Sequence, residues 1–284
     1  MIQPNEDAGG RPKGAGVLSL MRSLERQLAK KEGKPSNKAQ ELYYDALEAD
    51  SLEEKFELLQ QALKLDPGNV DALLAVLQHR PLPLEDEIEI LWKILELAER
   101  RLGAKAFKEY EGHFWGFVET RPYMRARQQL AASLCLAGRI EEGVAEYEGM
   151  LELNPNDNQG VRFALLTHYL GSNEMEGAAR LFERYDECEW NTVFAWGRVL
   201  ERFLRGDAEG AKQALVVARK QNGYTEAFLK GHRRLPRHLP DSYSPGSREE
   251  AVCFAPQLQF AWSAHPRALE WLKEQSPGRR KQGG

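Results

Sequence analysis

Three stretches of the sequence decide the fold: LAGRIEEGVAEY (136–147), LGSNEMEGAARL (170–181) and LRGDAEGAKQAL (204–215). Each begins 34 residues after the one before it, and four columns recur among them. The columns hold a leucine, a turn residue, a small residue and a large apolar residue. In that order they are Leu136, Leu170 and Leu204; Gly138, Ser172 and Gly206; Gly143, Gly177 and Ala211; and Tyr147, Leu181 and Leu215. One supersecondary unit is therefore predicted to recur along the chain.

Each column has a physical role in a pair of helices. Gly or Ser after the leucine ends the first helix, because such a residue tolerates a positive φ angle. The small residue lets the second helix approach the first closely, and the large apolar residue fills the space between units. A period of 34 with these features is the signature of the tetratricopeptide (TPR) repeat. We therefore predict an all-α fold, a right-handed α-solenoid of about five TPR-like helix-turn-helix repeats with a C-terminal helical cap.

A weaker copy of the repeat lies upstream, where Leu59, Ala62 and Pro67 precede Tyr147, Met150 and Pro155 by 88 residues. Two periods are 68 residues, so about twenty additional residues lie within 71–123. We interpret this stretch as a degenerate helix pair followed by an insert at 111–123. The array of repeats is therefore predicted to be interrupted.

The remaining sequence sets the domain boundaries. The helical period continues through Val17, Leu20, Met21, Leu24 and Leu28, whereas runs of alternating apolar and polar residues are absent. The predicted organisation has five parts: a disordered tail (1–16), a TPR-like solenoid (17–230), a Pro-rich loop (231–247), a C-terminal helical cap (248–275) and a second disordered tail (276–284). Within the solenoid, the degenerate repeats and the insert occupy about 38–123 and the regular repeats about 124–222. The cap is predicted to consist of two short helices near 248–262 and 266–274.

Composition and charge exclude several classes of protein. With 284 residues, of which 42% are hydrophobic, the chain has enough apolar material for a sizeable core. The formal charge of -4 gives no overall attraction to nucleic acid or anionic lipid, although residues 1–40 are basic and 41–110 are acidic.

No apolar stretch approaches the length of a membrane span, and the first residues lack the apolar region of a signal peptide. Widely separated cysteines predict neither a disulfide framework nor a zinc knuckle. We expect a cytoplasmic protein.

Three further runs carry a family resemblance. They are FWGFVETRPYMRAR (114–127), LNPNDNQG (153–160) and the segment from Leu235-Pro236 through YSPG (243–246) to EEA (249–251). These runs resemble a group of soluble, mostly bacterial TPR proteins, which is similar in turn to the TPR portion of the suppressor-of-tumorigenicity 7 family. The resemblance covers roughly 40–275 and implies a TPR fold without an assigned reaction. It implies membrane segments in larger animal members, which this sequence lacks, and it transfers no catalytic residue.

The sequence shows no apparatus for catalysis. Its six histidines have no metal-ligand spacing; they are His79, His113, His168, His232, His238 and His265. A P-loop, a nucleophile elbow and a dinucleotide-binding motif are missing, and no carboxylate pair stands in a setting that would separate two pKa values. We therefore expect no metal, no cofactor and no enzymatic activity.

The insert admits two interpretations. Trp115 and Phe117 offer aromatic faces beside arginines, an arrangement that can stack bases or enclose a cation. We favour a structural role, in which these rings and Tyr123 are buried in the gap left by the degenerate repeat. Pro122 is expected in the first turn of the next helix and Thr120 at its cap.

A basic group lies between 230 and 238 and supports a second hypothesis for function. Its members are Lys230, His232, Arg233, Arg234, Arg237 and His238. Such a group can bind the phosphates of a nucleic acid or a nucleotide, which makes a nucleic-acid- or nucleotide-binding regulatory protein the alternative function. We rank this hypothesis second, because aromatic residues are not interleaved with the cations and the chain is acidic.

The favoured hypothesis is a non-catalytic scaffold or adaptor that binds a protein or peptide in the concave TPR groove. First-helix positions line that groove; in the framework anchored by Pro155 they are Arg125, Gln128, Ala132 and Cys135, then Gln159, Arg162, Leu166 and Tyr169, then Val193, Trp196, Leu200 and Phe203. From these we select as partner-binding residues Arg125, Gln128, Gln159, Arg162, Tyr169, Trp196, Leu200 and Phe203. Arginine and glutamine at one end would select acidic or amide groups, and the other end offers an apolar anchor.

The apolar end of the predicted groove has an alternative role inside the molecule. The C-terminal segment carries Trp262, Leu269, Trp271 and Leu272 at helical spacing. Because terminal repeats need a partner for their open face, these residues are candidates to fold back over Trp196 and Phe203. The sequence leaves both possibilities open, and they can coexist.

Overall fold

The computed structural model describes residues 36–79 and 82–275, and 74% of these residues are helical. Neither range contains a strand, which confirms the all-helical prediction. The chain divides into two compact units, Met1–Asn158 (unit 1) and Gln159–Gly284 (unit 2). Both predicted tails and the helical stripe that begins at Val17 lie outside the described residues.

The described part of unit 1 contains six α-helices. They are α1 (Asn37–Glu48), α2 (Leu52–Leu65), α3 (Val70–Gln78), α4 (Leu84–Glu109), α5 (Arg121–Leu136) and α6 (Ile140–Leu153), with 3₁₀ turns Phe114–Gly116 and Val118–Thr120 between α4 and α5. The first three helices begin where the side chains of Ser36, Ser51 and Asn69 accept hydrogen bonds from the first turn. Helix α1 packs against α2 and α5 against α6, while α3 contacts both α4 and α5.

The described part of unit 2 contains seven α-helices. They are α7 (Val161–Gly171), α8 (Met175–Arg184), α9 (Thr192–Leu204), α10 (Ala208–Asn222), α11 (Thr225–Leu229), α12 (Arg248–Ser263) and α13 (Pro266–Glu274). Helix α7 pairs with α8 and α9 with α10, and α12 packs against α7, α9 and α11. The two predicted C-terminal helices are confirmed, and they are joined to α11 by an irregular segment, as its prolines predicted.

The small-residue column lies at helix contacts, as predicted. Gly143, Gly177 and Ala211 are all buried near the start of the second helix of a pair. A Cβ atom added to Gly143 would lie 2.8 Å from the carbonyl oxygen of Ala131, and one added to Gly177 would lie 2.8 Å from the ring of Tyr169. Because real Cβ atoms do not approach so closely, a larger residue at either position would separate the two helices.

The turn column is wrong by one residue in the middle repeat. Gly138 and Gly206 have φ angles of 80° and 76°, as expected for a residue that ends a helix in the left-handed region. Ser172 instead has a φ of -88°, and the left-handed residue is Asn173, with a φ of 62°. Helix α7 continues through Gly171, so its turn comes one residue later than in the other pairs. Asparagine is among the few residues that tolerate this conformation.

The insert is only partly buried, which corrects one prediction. Phe114 is fully buried, and its ring contacts Phe107 and Tyr123 with centroid distances of 5.0 and 6.0 Å. Phe117, by contrast, is 38% exposed and stacks on Tyr110 at the surface, while Trp115 is half-buried. Tyr123 is buried, as predicted, so the insert contributes two rings to the interior, Phe114 and Tyr123, and leaves Trp115 and Phe117 at or near the surface.

The start of α5 agrees with the sequence in one respect and differs in another. Pro122 lies in the first turn of α5, as predicted. Thr120 occupies the cap position, but its side chain makes no capping hydrogen bond to α5. Its buried hydroxyl group bonds to the carbonyl oxygens of Phe114 and Phe117 and thereby closes the two 3₁₀ turns.

None of the helices in 36–79 and 82–275 combines the length and the apolar character that a membrane crossing needs.

Candidate functional site

Unit 1 contains a cavity of about 400 Å³ on the side formed by α1, α3 and α5, the first helices of its pairs, together with α2. Its lining residues are Tyr43, Ala46, Leu47, Lys55, Leu59, Asp71, Leu74, Ala75, Gln78, His79, Arg125, Gln128, Gln129 and Ala132. We call this cavity the unit 1 groove. Its size is in the range of sites that take part of a ligand or a few peptide side chains.

The groove has an apolar floor, and one large apolar side chain stands at its otherwise polar rim. Leu59, Leu74 and Ala75 are buried and form the floor, because the hydrophobic faces of α2 and α3 turn inward. Leu47 stands at the rim with 53% of its surface exposed. An apolar side chain of a ligand that covered Leu47 would remove further apolar surface from water.

A buried ion pair forms one wall of the groove. The side chain of Asp71 is fully buried, and Arg125 donates to it from Nε (2.7 Å to Oδ1) and from Nη2 (2.6 Å to Oδ2). Gln40 donates to Asp71 Oδ2 at 2.9 Å and accepts from the side chain of Asn69 at 3.0 Å. Helices α1, α3 and α5 are thus connected through one hydrogen-bonded network.

The network determines the charges in the groove. Burial acts to lower the pKa of Arg125, but the hydrogen bond and charge of Asp71 outweigh it and raise that pKa above its usual value. Burial, together with the charge of Asp71, raises the pKa of Tyr43. At neutral pH the groove therefore contains a cationic guanidinium group and an uncharged phenol group.

The polar rim carries donors and one further cation. Gln78 donates to Gln129 at 3.3 Å, and His79 Nδ1 lies 2.9 Å from the carbonyl oxygen of Ala75. Lys55 is half-buried and forms no ion pair within the part of the chain that the structure describes. Asp71 is the one carboxylate of the lining and is already bound by Arg125. The groove is therefore suited to ligand groups that accept hydrogen bonds, carboxylates in particular.

A second cavity of about 350 Å³ lies on the other side of the same ion pair and is also lined by Asp71 and Arg125. It is also lined by the ion pair Asp66–Arg101, in which Nη1 and Nη2 of Arg101 each donate to one carboxylate oxygen of Asp66 at 2.9 Å. Arg125 thus borders two cavities of unit 1, and its two hydrogen bonds to Asp71 hold it between them.

The predicted site residues divide between the two units. Arg125 and Gln128 both line the unit 1 groove, as does Ala132. The predicted residues Gln159, Arg162, Tyr169, Trp196, Leu200 and Phe203 belong to unit 2 and do not line this groove. Arg162 is bound by Glu187 at 3.0 Å and lies over the ring of Phe163, whereas Tyr169 is buried beneath Gly177.

The apolar end of the predicted groove is covered by the C-terminal helices. Trp196 and Leu200 are fully buried, and Trp196 Nε1 donates to the carbonyl oxygen of Asn222 at 3.1 Å. The half-buried ring of Phe203 lies 5.3 Å from that of Trp271. Of the two possibilities left open by the sequence, the described residues adopt the covered one. Trp196 and Leu200 therefore act here as core residues, because α9 packs against α10 on one side and α12 on another.

Sequence reasoning missed several groove residues. Leu47 lies 88 residues before Cys135, so the offset that identified the upstream repeat also pointed to it. Tyr43, Lys55 and His79 were not identifiable in this way, because the first two helix pairs depart from the regular register. Asp71 carried a weak signal: it is a single carboxylate in the apolar helix VDALLAVLQ (70–78), and a buried carboxylate needs a cationic or hydrogen-bonding partner.

The basic group occupies an exposed loop in unit 2. Lys230 is the exception, since its side chain is mostly buried and paired with Glu226 at 2.6 Å. The other members are exposed to solvent; they are His232, Arg233, Arg234, Arg237 and His238. Their side chains form no ion pair with any residue of 36–79 or 82–275.

The described residues offer little for catalytic chemistry. They contain no group of three or more His, Cys, Asp or Glu side chains placed to hold a metal ion. Burial raises the pKa of the Cys135 thiol to about 11, so this thiol is protonated at neutral pH and is a poor nucleophile. The unit 1 groove combines a fixed cation, amide groups and apolar surface.

Comparison with known proteins adds no assignment to this geometry. No model of a protein family matches the chain, and no curated protein is significantly similar to it. What the described residues establish is the all-helical fold.

Proposed function

We propose that this chain is a non-catalytic interaction protein that binds a peptide or helix of a protein partner in the unit 1 groove. The single observation that carries the proposal is the groove itself, with a buried carboxylate fixing Arg125 beside an apolar floor. An orienting charge next to apolar surface is what a site for a short peptide segment requires.

The fold proposal is more specific than an all-helical chain. We infer TPR-like repeats that form a right-handed α-solenoid with a C-terminal helical cap, and kinship with the TPR portion of the suppressor-of-tumorigenicity 7 family. Support comes from a turn that recurs at three helix ends, once in unit 1 and twice in unit 2. At the end of α5, α7 and α9 the same backbone hydrogen bond closes the turn, from Arg139 N to Leu134 O, Glu174 N to Tyr169 O and Asp207 N to Arg202 O.

Recognition in the groove would combine two contributions. An apolar side chain of the ligand would cover Leu47 above Leu74, and its removal from water would supply the main driving force. Lys55 and Gln128 would donate to a carboxylate or to backbone carbonyls of the ligand. Asp71 uses Nε and Nη2 of Arg125, so the N–H groups of Nη1 remain for the same purpose.

Affinity capture from the native lysate tests this proposal with two groove variants, Leu47→Asp and Lys55→Glu. The matched controls are Leu65→Asp and Lys64→Glu, since Leu65 is exposed to 51% against 53% for Leu47 and neither control residue lines the groove. We expect both groove variants to lose a partner that wild type and both controls retain. Retention of the same partners by all five proteins would contradict the proposal.

A further inference from the structure

The exposed cations of unit 2 form a compact surface that the unit 1 groove does not use. We call it the basic loop, and it comprises His232, Arg233, Arg234, Arg237 and His238. None of its side chains has a carboxylate partner among the described residues. Like charges so close in sequence repel one another, and nearby carboxylates from another surface would relieve that repulsion.

The backbone of the basic loop is anchored although its cations are exposed. Before the loop, Lys230 is paired with Glu226; after it, the carbonyl oxygen of Pro240 accepts from Cys253 Sγ at 3.8 Å. Between the anchors, Leu235 packs against a buried apolar cluster, which consists of Phe228, Ala251, Val252 and Ala255. The fixed φ angles of Pro236 and Pro240 restrict the loop further. A partner that binds here therefore meets a surface that is largely ordered in advance.

The same chain carries a surface of the opposite charge. On α1, Glu41, Asp45 and Glu48 are spaced as i, i+4 and i+7, so they share one side of the helix. Three further carboxylates lie on the first turns of α2: Glu53, Glu54 and Glu57. All six side chains are exposed, and none forms an ion pair within the described ranges. We call these six residues the acidic face. Like charges at i, i+4 destabilise a helix unless another charge compensates them.

We propose that the basic loop of one copy of this protein docks on the acidic face of a second copy. Charge complementarity identifies the occupant, because one surface carries three arginines and the other carries six carboxylates. The formal charge of -4 opposes a nucleic acid, and the loop offers no Phe, Tyr or Trp between 232 and 238 on which bases would stack.

The contact is heterologous, since it joins two different surfaces of the same chain. Each copy keeps one basic loop or one acidic face free after a single contact, so successive copies can add head to tail. None of the residues involved lines the unit 1 groove, and the inference therefore stands independently of the proposed function.

Sedimentation velocity of the full chain tests the proposal across protein concentrations. At an ionic strength of about 0.01 M we expect concentration-dependent association, and at about 0.5 M we expect a monomer, because salt screens exposed charges. The variant Arg233→Glu, Arg234→Glu, Arg237→Glu should weaken association at least about tenfold. The matched control, Lys105→Glu, Lys108→Glu, Lys273→Glu, changes the net charge equally at exposed positions outside both surfaces and should associate like wild type.

A charge-exchange experiment identifies the pair of surfaces. The variant Glu41→Lys, Asp45→Lys, Glu48→Lys should fail to associate by itself, as should the loop variant. Mixed together, the two should associate, because the unaltered basic loop of the α1 variant meets the unaltered acidic face of the loop variant and the acidic loop of the latter meets the basic α1 of the former. Thermal midpoints near that of wild type would exclude unfolding as the cause of the separate losses, and restored association excludes it directly.

Three results would overturn the proposal. One is a wild-type protein that stays monomeric at every concentration at low ionic strength. Another is a mixture of the two variants that remains monomeric. The third is a monomeric wild type that binds a fluorescent single-stranded RNA oligonucleotide, with loss of binding in the arginine variant, since that would assign the basic loop to nucleic acid. The groove variant Gln128→Ala changes no charge and lies on α5, outside both surfaces, so it should leave self-association unchanged, which separates this proposal from the proposed function.

Discussion

Arg125 and Asp71 form a bidentate ion pair across 54 residues of sequence, with N···O distances of 2.7 and 2.6 Å. The carboxylate is fully buried, whereas the guanidinium side chain is 32% exposed. The pair fastens α3 to α5 and at the same time places a cation in the wall of the unit 1 groove. The same two side chains thus connect two helices and determine the charge of the groove wall.

Removal of the cation should be the more damaging change in this pair. Arg125→Ala leaves Asp71 buried without its counter-charge, so we expect the free energy of unfolding to fall by about 3–5 kcal/mol. Asp71→Ala should cost less, because water can reach the half-exposed guanidinium group. Urea denaturation measures the free energy of unfolding of both variants. The control is Lys212→Ala, which removes an exposed pair with Glu209 and should change stability by less than about 0.5 kcal/mol. A loss of the same size in Arg125→Ala and Lys212→Ala would contradict the prediction.

Close helix contact at Gly177 should make this position intolerant of larger residues. An added Cβ would lie 2.8 Å from the ring of Tyr169, so Gly177→Leu should destabilise the protein by about 1–3 kcal/mol through overpacking. Gly116→Ala is the control, because a Cβ at Gly116 meets no atom within 4 Å. Thermal denaturation compares the two variants. Equal midpoints for Gly177→Leu and wild type would show that α7 and α8 do not pack as described.

The sequence predicted the close contacts between helices well where sterics leave few choices. Gly143 and Gly177 were identified because only a small residue allows two helices to approach so closely. The middle turn was misplaced by one residue, because Ser172 and Asn173 are both acceptable near a helix end and the extension of α7 follows from packing. Phe117 was expected to be buried, and that prediction was wrong. The helical period does not describe the short 3₁₀ turns on either side of Phe117, so it could not show which way this side chain points.

The candidate site was predictable only in part. Arg125 and Gln128 were identified because the register of the regular repeats reaches α5. The sequence pattern placed Arg125 in the groove but did not show that a buried carboxylate holds it, because the partner of Asp71 was not identifiable across 54 residues. The apolar positions Trp196 and Leu200 were consistent with a groove or with a core. Only the packing of α12 distinguishes the two, and that packing is a tertiary contact.

The C-terminal helices should be essential for the stability of unit 2. Trp262 is fully buried on α12, so Trp262→Ala should cost about 3–5 kcal/mol. Trp190 is 73% exposed, and Trp190→Ala serves as a control with an expected change below about 0.5 kcal/mol. Urea denaturation measures the free energy of unfolding of Trp262→Ala and of Trp190→Ala. Removal of residues 248–284 should in addition expose Trp196 and Leu200 and cause self-association that salt does not reverse. A soluble monomeric truncation would show that α12 does not cover the core of unit 2.

His168 should make the protein less stable in mild acid. Burial against Phe260, whose ring lies 5.0 Å away, lowers the pKa of His168 below its ordinary value of 6.5. The unfolded chain then binds a proton at a higher pH than the folded chain does, so stability is full above about pH 6.5 and falls as the pH drops toward the folded pKa.

The test compares free energies of unfolding at about pH 7.5 and about pH 5.5 in wild type and in His168→Leu. We expect a smaller loss on acidification in the variant, since it has no imidazole to protonate at this site. His113→Leu is the control, because His113 is exposed and the structure gives it no buried environment to lose. This variant should follow the wild-type pH dependence. An identical acid-induced loss in wild type and His168→Leu would show that His168 is not buried in the folded state.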